Sequence, residues 1–202
     1  MSQGSMECGL LYSGGKDSTL AALLLADFYD LTLLTARFGV TSDWEHARAS
    51  AGGTAIDFQP LDLDRSVAEE AVERMVEDGY PRNGIQQVHL HALETAASMG
   101  FAAVADGTRR DDRVPSVSRA QAQSLEDRHD VDYIAPLSGF GRGAVDRLVE
   151  ATLDVTVGPS EEIPRADYEA ELRAILTEEY GEGAIEEVFP AHDQTNVRNV
   201  RR

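Results

Sequence analysis

The residues best suited to chemistry stand together near the start of the chain: Ser13-Gly14-Gly15-Lys16-Asp17-Ser18, followed by Thr19. Two glycines let a backbone turn sharply and approach an anion closely. The hydroxyls of Ser13, Ser18 and Thr19 can donate to phosphate oxygens, and Lys16 adds a mobile positive charge. Lys16 is the only lysine in 202 residues; arginine fills every other basic position. A chain that keeps one lysine, at this place, needs a compact ammonium there. The loop is not a Walker A motif. That motif requires glycine where Leu10 stands and serine or threonine where Asp17 stands, so γ-phosphate transfer of the kinase or GTPase kind is disfavoured.

A second group is Asp106-Gly107-Thr108-Arg109-Arg110-Asp111-Asp112, with Arg113 beside it. Asp111 and Asp112 are candidates to bind metal or substrate, with surface solvation as the alternative. Arg109, Arg110 and Arg113 are candidates to neutralise phosphate charge. His89 and His91 fall on different faces of a helix and make a poor metal pair, so a structural role is expected for both. His46, His129 and His192 are isolated. The one cysteine, Cys8, excludes an internal disulfide and a C-x-x-C site. It sits in an apolar run and is expected to be a small buried hydrophobe.

These groups need elements to hold them. Short apolar runs at residues 8–12, 31–38, 55–61, 101–105 and 131–135 are expected as strands. Helices are expected at 18–28, 43–51, 66–77, 83–99, 115–129, 144–151 and 167–180, several of them stopped by glycine, as at Gly79 and Gly100. Strands alternating with helices imply βαβ units: an α/β, doubly wound parallel sheet of the Rossmann-like kind. Ligands of such sheets lie at the carboxyl ends of the strands, at the switch point. The loops after the first and fourth strands therefore matter most, and they are the two that carry the motifs. The pattern fades over 152–164, and the tail after Phe189 is expected to be irregular and polar. It either folds back over the site, through the stretch that includes His192, or stays a disordered tail. The expected division is 7–158 for the nucleotide-binding domain and 159–202 for a small helical C-terminal extension.

Composition bounds the rest. The formal net charge is −18, with 36 acidic residues against 18 basic ones. A dense carboxylate surface with almost no lysine is expected of a protein from a high-salt cytoplasm, where it maintains hydration. No apolar run reaches the roughly 20 residues needed to span a bilayer, and residues 1–7 lack the pattern of a signal peptide. No membrane partner is expected, and the chain is read as cytoplasmic. No basic patch with interleaved aromatics appears. Arg109, Arg110, Arg113, Arg119, Arg198, Arg201 and Arg202 are the only candidates for contacts to nucleic-acid phosphates.

The S-G-G-K-D-S loop after a first buried strand resembles the pyrophosphate loop of the PP-loop ATP pyrophosphatases, the HUP-like adenine nucleotide α-hydrolase group. The stretch from Asp106 to Asp112 resembles the D-G-T-N-x-D-D of nickel-pincer sulfur-insertion enzymes and, more loosely, the matching loop of tRNA thiolases; Arg109 stands where asparagine is expected. Ala135-Pro136-Leu137 is similar to the S-P-L element. The resemblance implies ATP and Mg²⁺ as cofactors, with ATP cleaved between its α- and β-phosphates to adenylylate a carbonyl-type oxygen. It implies nucleotide contacts from Ser13, Gly14, Gly15, Lys16, Asp17, Ser18, Thr19, Asp106, Gly107 and Thr108. Adenine is placed near residues 36–38, with Phe38 either stacking on it or serving as plain core. Lys16, Asp17, Asp111 and Asp112 are the implied catalytic residues, and Asp17 and Asp111 the implied metal ligands. Arg109, Arg110 and Arg113 are the implied substrate contacts. The implied reaction is sulfur or nitrogen transfer, with tRNA thiolation or a related modification first. A small-molecule amidating or sulfur-transferring enzyme and a non-catalytic ATP-binding regulatory subunit are the alternatives. Expected partners are tRNA, a sulfur-carrier protein and a second copy in a homodimer.

Overall fold

The computed structural model describes residues 6–159, 163, 166–190 and 193–201. The expectations about residues 1–5, His192 and Arg202 lie outside the described residues. Five strands, β1 (Met6–Leu11), β2 (Tyr29–Arg37), β3 (Asp57–Asp62), β4 (Ala103–Ala105) and β5 (Asp132–Ile134), form one parallel sheet in the order β3-β2-β1-β4-β5. The chain starts in the middle, runs to one edge, then crosses back. The switch point therefore lies between β1 and β4, whose register pairs Cys8 with Ala103 and Leu10 with Ala105.

The period of two along each strand divides the core. Cys8, Leu10, Leu31, Leu33, Ala103 and Ala105 enter the cluster that includes Leu20, Leu25, Ala47 and Val145, from helices α1 (Lys16–Leu25), α2 (Trp44–Ala51) and α6 (Arg142–Thr152). Leu11, Leu34, Ala36 and Val104 enter the opposite cluster. There they join Val72 and Met75 of α3 (Arg65–Asp78), Leu93 of α4 (Arg82–Ala97), Leu125 of α5 (Arg119–His129) and Leu172 of α7 (Tyr168–Tyr180). Both faces are covered, which is why the strands are continuous apolar runs rather than alternating ones. This is the doubly wound α/β fold expected.

Three of the differences from the expected boundaries bear on the site. Helix α1 starts at Lys16 rather than at residue 18, because Gly15 O already accepts from Thr19 N at 3.1 Å. Lys16 and Asp17 thus belong to the first turn of the helix. Helix α5 starts at Arg119 because Ser118 and Gln121 form a reciprocal capping box there, which leaves residues 115–118 outside the helix. The largest difference is at the end of the chain. Residues expected to lack pattern form β6 (Leu153–Pro159) and β7 (Asp193–Val200), an antiparallel pair in register from Leu153 with Val200 to Pro159 with Asp193. A short α8 (Gly183–Val188) lies between α7 and β7. The tail is therefore ordered over β7, where Leu153 and Val197 join the core cluster beneath α1. Among the described residues no helix is long and apolar enough to cross a membrane.

Candidate functional site

The carboxyl end of β1 runs into Tyr12, Ser13, Gly14 and Gly15 and then directly into α1. Gly14 has φ +74°, the left-handed region, and a Cβ there would lie 3.2 Å from Ser50 Oγ and 3.3 Å from Ala47 Cα of α2. The turn thus needs glycine for both conformation and space. Its serines brace it from within: Ser13 N donates to Ser18 Oγ at 3.3 Å, the two serine hydroxyls are 3.2 Å apart, and Ser18 Oγ donates to Gly15 O at 3.2 Å. Thr19 is fully buried, donating to Gly15 O at 2.9 Å beside the Tyr12 hydroxyl. This corrects the expectation for Thr19. Its hydroxyl is used up beneath the loop and does not line the cavity.

The start of α1 carries no side-chain cap. A helix N-terminus leaves its first amides without helical partners and favours negative charge. One of them, Lys16 N, donates to Thr195 Oγ1 of β7 at 3.3 Å, and Val197 N donates back to Gly14 O at 3.0 Å. The C-terminal strand is therefore stitched to the glycine turn from 179 residues away. Nothing in the sequence of the tail signals this, because the pairing partner of β7 is β6 and the contact to the turn rests on one threonine hydroxyl and one backbone amide.

The loop after β4 closes the other side. A Cβ on Gly107 would lie 2.8 Å from Ser18 N and 2.9 Å from Ser18 Cα, so the two loops meet backbone to backbone. Asp106, buried at the loop's base, accepts from Thr108 N at 2.9 Å and Thr108 Oγ1 at 2.6 Å on one oxygen. Its other oxygen lies 2.8 Å from His89 Nε2 and accepts from the Tyr133 hydroxyl at 2.9 Å. Burial alone pushes the Asp106 carboxyl up, but the hydrogen bonds and charge of His89, with those of Thr108, outweigh it and hold the carboxyl below its ordinary range. The other ring nitrogen of His89 meets the Tyr168 hydroxyl at 3.2 Å. Asp106 and Thr108 therefore shape the loop. His89, expected to be structural, is buried against Asp106 and Tyr168 and also lines the cavity.

Arg109, where the resembling stretch has asparagine, links the two loops. It binds Asp112 through Nη2 at 2.7 Å, Nε at 3.0 Å and its own amide at 2.7 Å, and its Nη1 lies 3.6 Å from Asp17 Oδ2. Lys16 Nζ also lies 2.7 Å from Asp17 Oδ2, so Asp17 sits between two cations. Asp112 lines the cavity with Asp17 and Ser18. Asp111 does not: it is exposed and paired with Arg110 at 3.1 Å, away from Asp17. Arg113 is also turned to a different groove. The structure thus separates Asp111, Arg110 and Arg113 from the loop they were grouped with.

The cavity between the loops holds about 200 Å³ and is lined by Tyr12, Ser13, Leu34, Thr35, Ala36, Asp106–Thr108 and Tyr168, among others. That volume is below the roughly 300–1,000 Å³ of sites that enclose a whole drug-sized ligand. Phe38 is not part of the cavity. Its ring is buried in the core, and its amide is taken by Glu171 Oε2 at 2.6 Å, with Glu171 Oε1 accepting from Val40 N at 2.7 Å. The α7 carboxylate plugs the end of β2 there, so Leu34, Thr35 and Ala36 are the part of β2 that lines the cavity. Among the described residues no group of three or more metal-ligating side chains is gathered. A Mg²⁺ would fit here only if it arrived with phosphates and kept its waters; Asp17 and Asp112 are carboxylates that line the cavity, and both are paired with cations of the protein. Asp111 does not share that position.

The model of a family of unknown function, DUF7411, matches residues 6–199. An uncharacterised protein of Methanocaldococcus jannaschii is 39% identical over 198 residues, covering 98% of each chain. A crystal structure from the same species, described as a predicted subunit of tRNA methyltransferase, superposes with a TM-score of 0.88 at 39% identity, again over 98% of each chain. A U34-tRNA thiolase of Methanococcus maripaludis with a 4Fe–4S cluster matches at a TM-score of 0.48 and 15% identity, over 90% of this chain and 69% of its own. With a family model spanning nearly its whole length and a relative of this identity, the chain belongs to the DUF7411 family.

Proposed function

We propose that this protein binds ATP with its outer phosphates on the Ser13–Ser18 turn and cleaves it between the α- and β-phosphates to activate a carbonyl-type oxygen on tRNA. The observation that carries this reading is the backbone contact of Gly107 with Ser18. It places the second loop across an uncapped helix start at the sheet's switch point. The description of the M. jannaschii relative as a predicted subunit of tRNA methyltransferase supports RNA as the acceptor.

In this reading the acceptor oxygen attacks the α-phosphorus, the bridging bond to the β-phosphate breaks, and pyrophosphate leaves along the glycine turn. The free amides of α1 and Lys16 neutralise the departing charge, and Arg109 does so from the opposite loop. Mg²⁺ held by the phosphates and Asp17 would add Lewis-acid charge neutralisation. Catalysis is then positioning and electrostatics. A sulfur or nitrogen nucleophile next displaces AMP from the activated carbon. Cys8 cannot deliver that sulfur: it is fully buried, and burial pushes its thiol up to about 12. A separate sulfur carrier supplies it.

A second reading, a nucleotide-binding subunit without turnover, is favoured by one feature: Lys16 Nζ is already engaged by Asp17 at 2.7 Å. Incubation with α-labelled ATP and archaeal tRNA separates the two. AMP and pyrophosphate are expected. ADP would overturn the proposal in favour of phosphoryl transfer, and binding without product would leave the subunit reading.

A further inference from the structure

We propose that the groove next to the nucleotide cavity anchors single-stranded RNA, with Arg82 and Arg113 holding a phosphodiester and Tyr80 stacking on a base. This rests on the reading of RNA as the acceptor and gives that acceptor a place on the chain.

The groove holds about 300 Å³ and is lined by Tyr80, Arg82, Ile85, Arg113, Val114 and Phe189, among others. It shares its walls with the nucleotide cavity. Val114 lines the groove and Pro115 the cavity; Glu169 lines the groove while Asp167 and Tyr168 line the cavity. A ligand in the groove is therefore next to the nucleotide site.

Its charge runs against the rest of the molecule. Acidic residues are twice as numerous as basic ones, and about half of the described arginines are taken by carboxylates, as Arg37 is by Asp62, Arg128 by Glu94 and Arg201 by Asp154. Arg82 and Arg113 are exposed and form no ion pair or hydrogen bond among the described residues. Other unpaired arginines, such as Arg74 and Arg147, line neither this groove nor the cavity. The same groove is lined by Tyr80, 52% exposed, a large ring on the surface, and by the apolar side chains of Ile85 and Phe189. Guanidinium forks suit phosphate oxygens, and an exposed ring gives any base a stacking face. An anionic peptide would use the arginines but gain nothing specific from the ring. The patch is assembled from residues 80–85, 113–114, 169 and 189–190, so no continuous stretch shows basic residues interleaved with aromatics.

Filter binding of unfractionated archaeal tRNA to the ATP-loaded protein, across a range of potassium chloride, tests this. The double variant Arg82→Ala, Arg113→Ala is expected to weaken binding and to lower the slope of log affinity against log salt by about 0.7 for each phosphate no longer neutralised. Tyr80→Ala is expected to weaken binding about tenfold and Tyr80→Phe to leave it within twofold. ATP affinity, measured separately, reports whether the variants fold. Unchanged tRNA affinity and salt slope in the arginine double variant would overturn the groove, as would displacement of the RNA by polyglutamate as readily as by an oligoribonucleotide. If the wild-type protein releases AMP and pyrophosphate but binds no tRNA, the groove assignment and the RNA acceptor fall while the ATP reading stands. If it binds tRNA through the groove without cleaving ATP, the reverse holds.

Discussion

The two loops that meet at the switch point are built on opposite plans. The loop after β4 is closed on itself. Asp106 is met by His89, Tyr133 and two donors of Thr108, and Arg109 by Asp112, so these charged groups have their partners inside the protein. The glycine turn after β1 spends its serine hydroxyls on its own shape and leaves the start of α1 without a side-chain cap. A saturated loop can hold a position but has little left to give a ligand. An uncapped helix start has donors to give but needs something else to keep it in place. One loop presses on the other through Gly107, and that contact makes the pair a site.

The comparison breaks most directly at Lys16. Lys16→Ala removes the charge that the open loop offers while leaving every bond of the closed loop intact. Pyrophosphate release is expected to fall about 10²–10³-fold, the effect of removing one donor from a preorganised anion site, with the thermal midpoint little changed. Unaltered release would take Lys16 out of the reaction. Gly107→Ala attacks the junction instead. A methyl group 2.8 Å from Ser18 N forces the loops apart, which is expected to destabilise the fold by about 2–3 kcal/mol and to weaken ATP binding as well. A variant that melts lower yet binds ATP normally would show that the contact serves packing alone.

Much of this is legible in the sequence alone. The doubly wound sheet follows from short apolar runs alternating with helical ones, and the two chemically rich loops fall at the ends of β1 and β4, where such a sheet places ligands. What stays hidden is set by partners distant in sequence. His89 is unremarkable on a helix and becomes part of the site only because β4 brings Asp106 to it. Phe38 has the type and position of a stacking residue, yet Glu171, 133 residues later, takes its amide and α7 covers it. Residues 193–200 carry two valines among polar side chains, too few to signal a strand without knowing that β6 lies beside them. Asp111 and Asp112 are neighbours of one type, and only the turn at Arg109 sends one inward and the other to solvent.

The closed loop has its own test in pH. The Asp106 carboxyl titrates lower in the folded chain than its ordinary value of 3.8. Its stabilising contribution is therefore fully present above that value and is lost as pH falls through the lower folded one. Asp106→Asn keeps the shape, removes the charge and faces His89 with the wrong group, which is expected to lower stability at neutral pH by about 1–2 kcal/mol. The gap between wild type and variant in denaturant unfolding is expected to narrow once pH drops below 3.8. A gap that stays constant with pH would mean the bonds matter and the ionisation does not.

The smallest effect tests whether the open loop is as open as it looks. In the free protein the Lys16 amide is not idle: Thr195 Oγ1 accepts from it at 3.3 Å, with β7 held alongside by Val197 N and Gly14 O. A phosphate oxygen on the turn would compete for that amide, since it is a charged and stronger acceptor than a hydroxyl. Thr195→Val removes the hydroxyl at nearly constant volume and is expected to lower the stability of the free protein by about 0.5–1 kcal/mol, the net worth of one such bond. With ATP in saturating amounts the difference is expected to shrink, because the phosphate takes over the amide and the wild type has no bond left to lose. If the difference instead persists with ATP bound, the hydroxyl and the phosphate do not compete. Thr195 is then a permanent part of the turn, and the amides available to pyrophosphate are those further along α1.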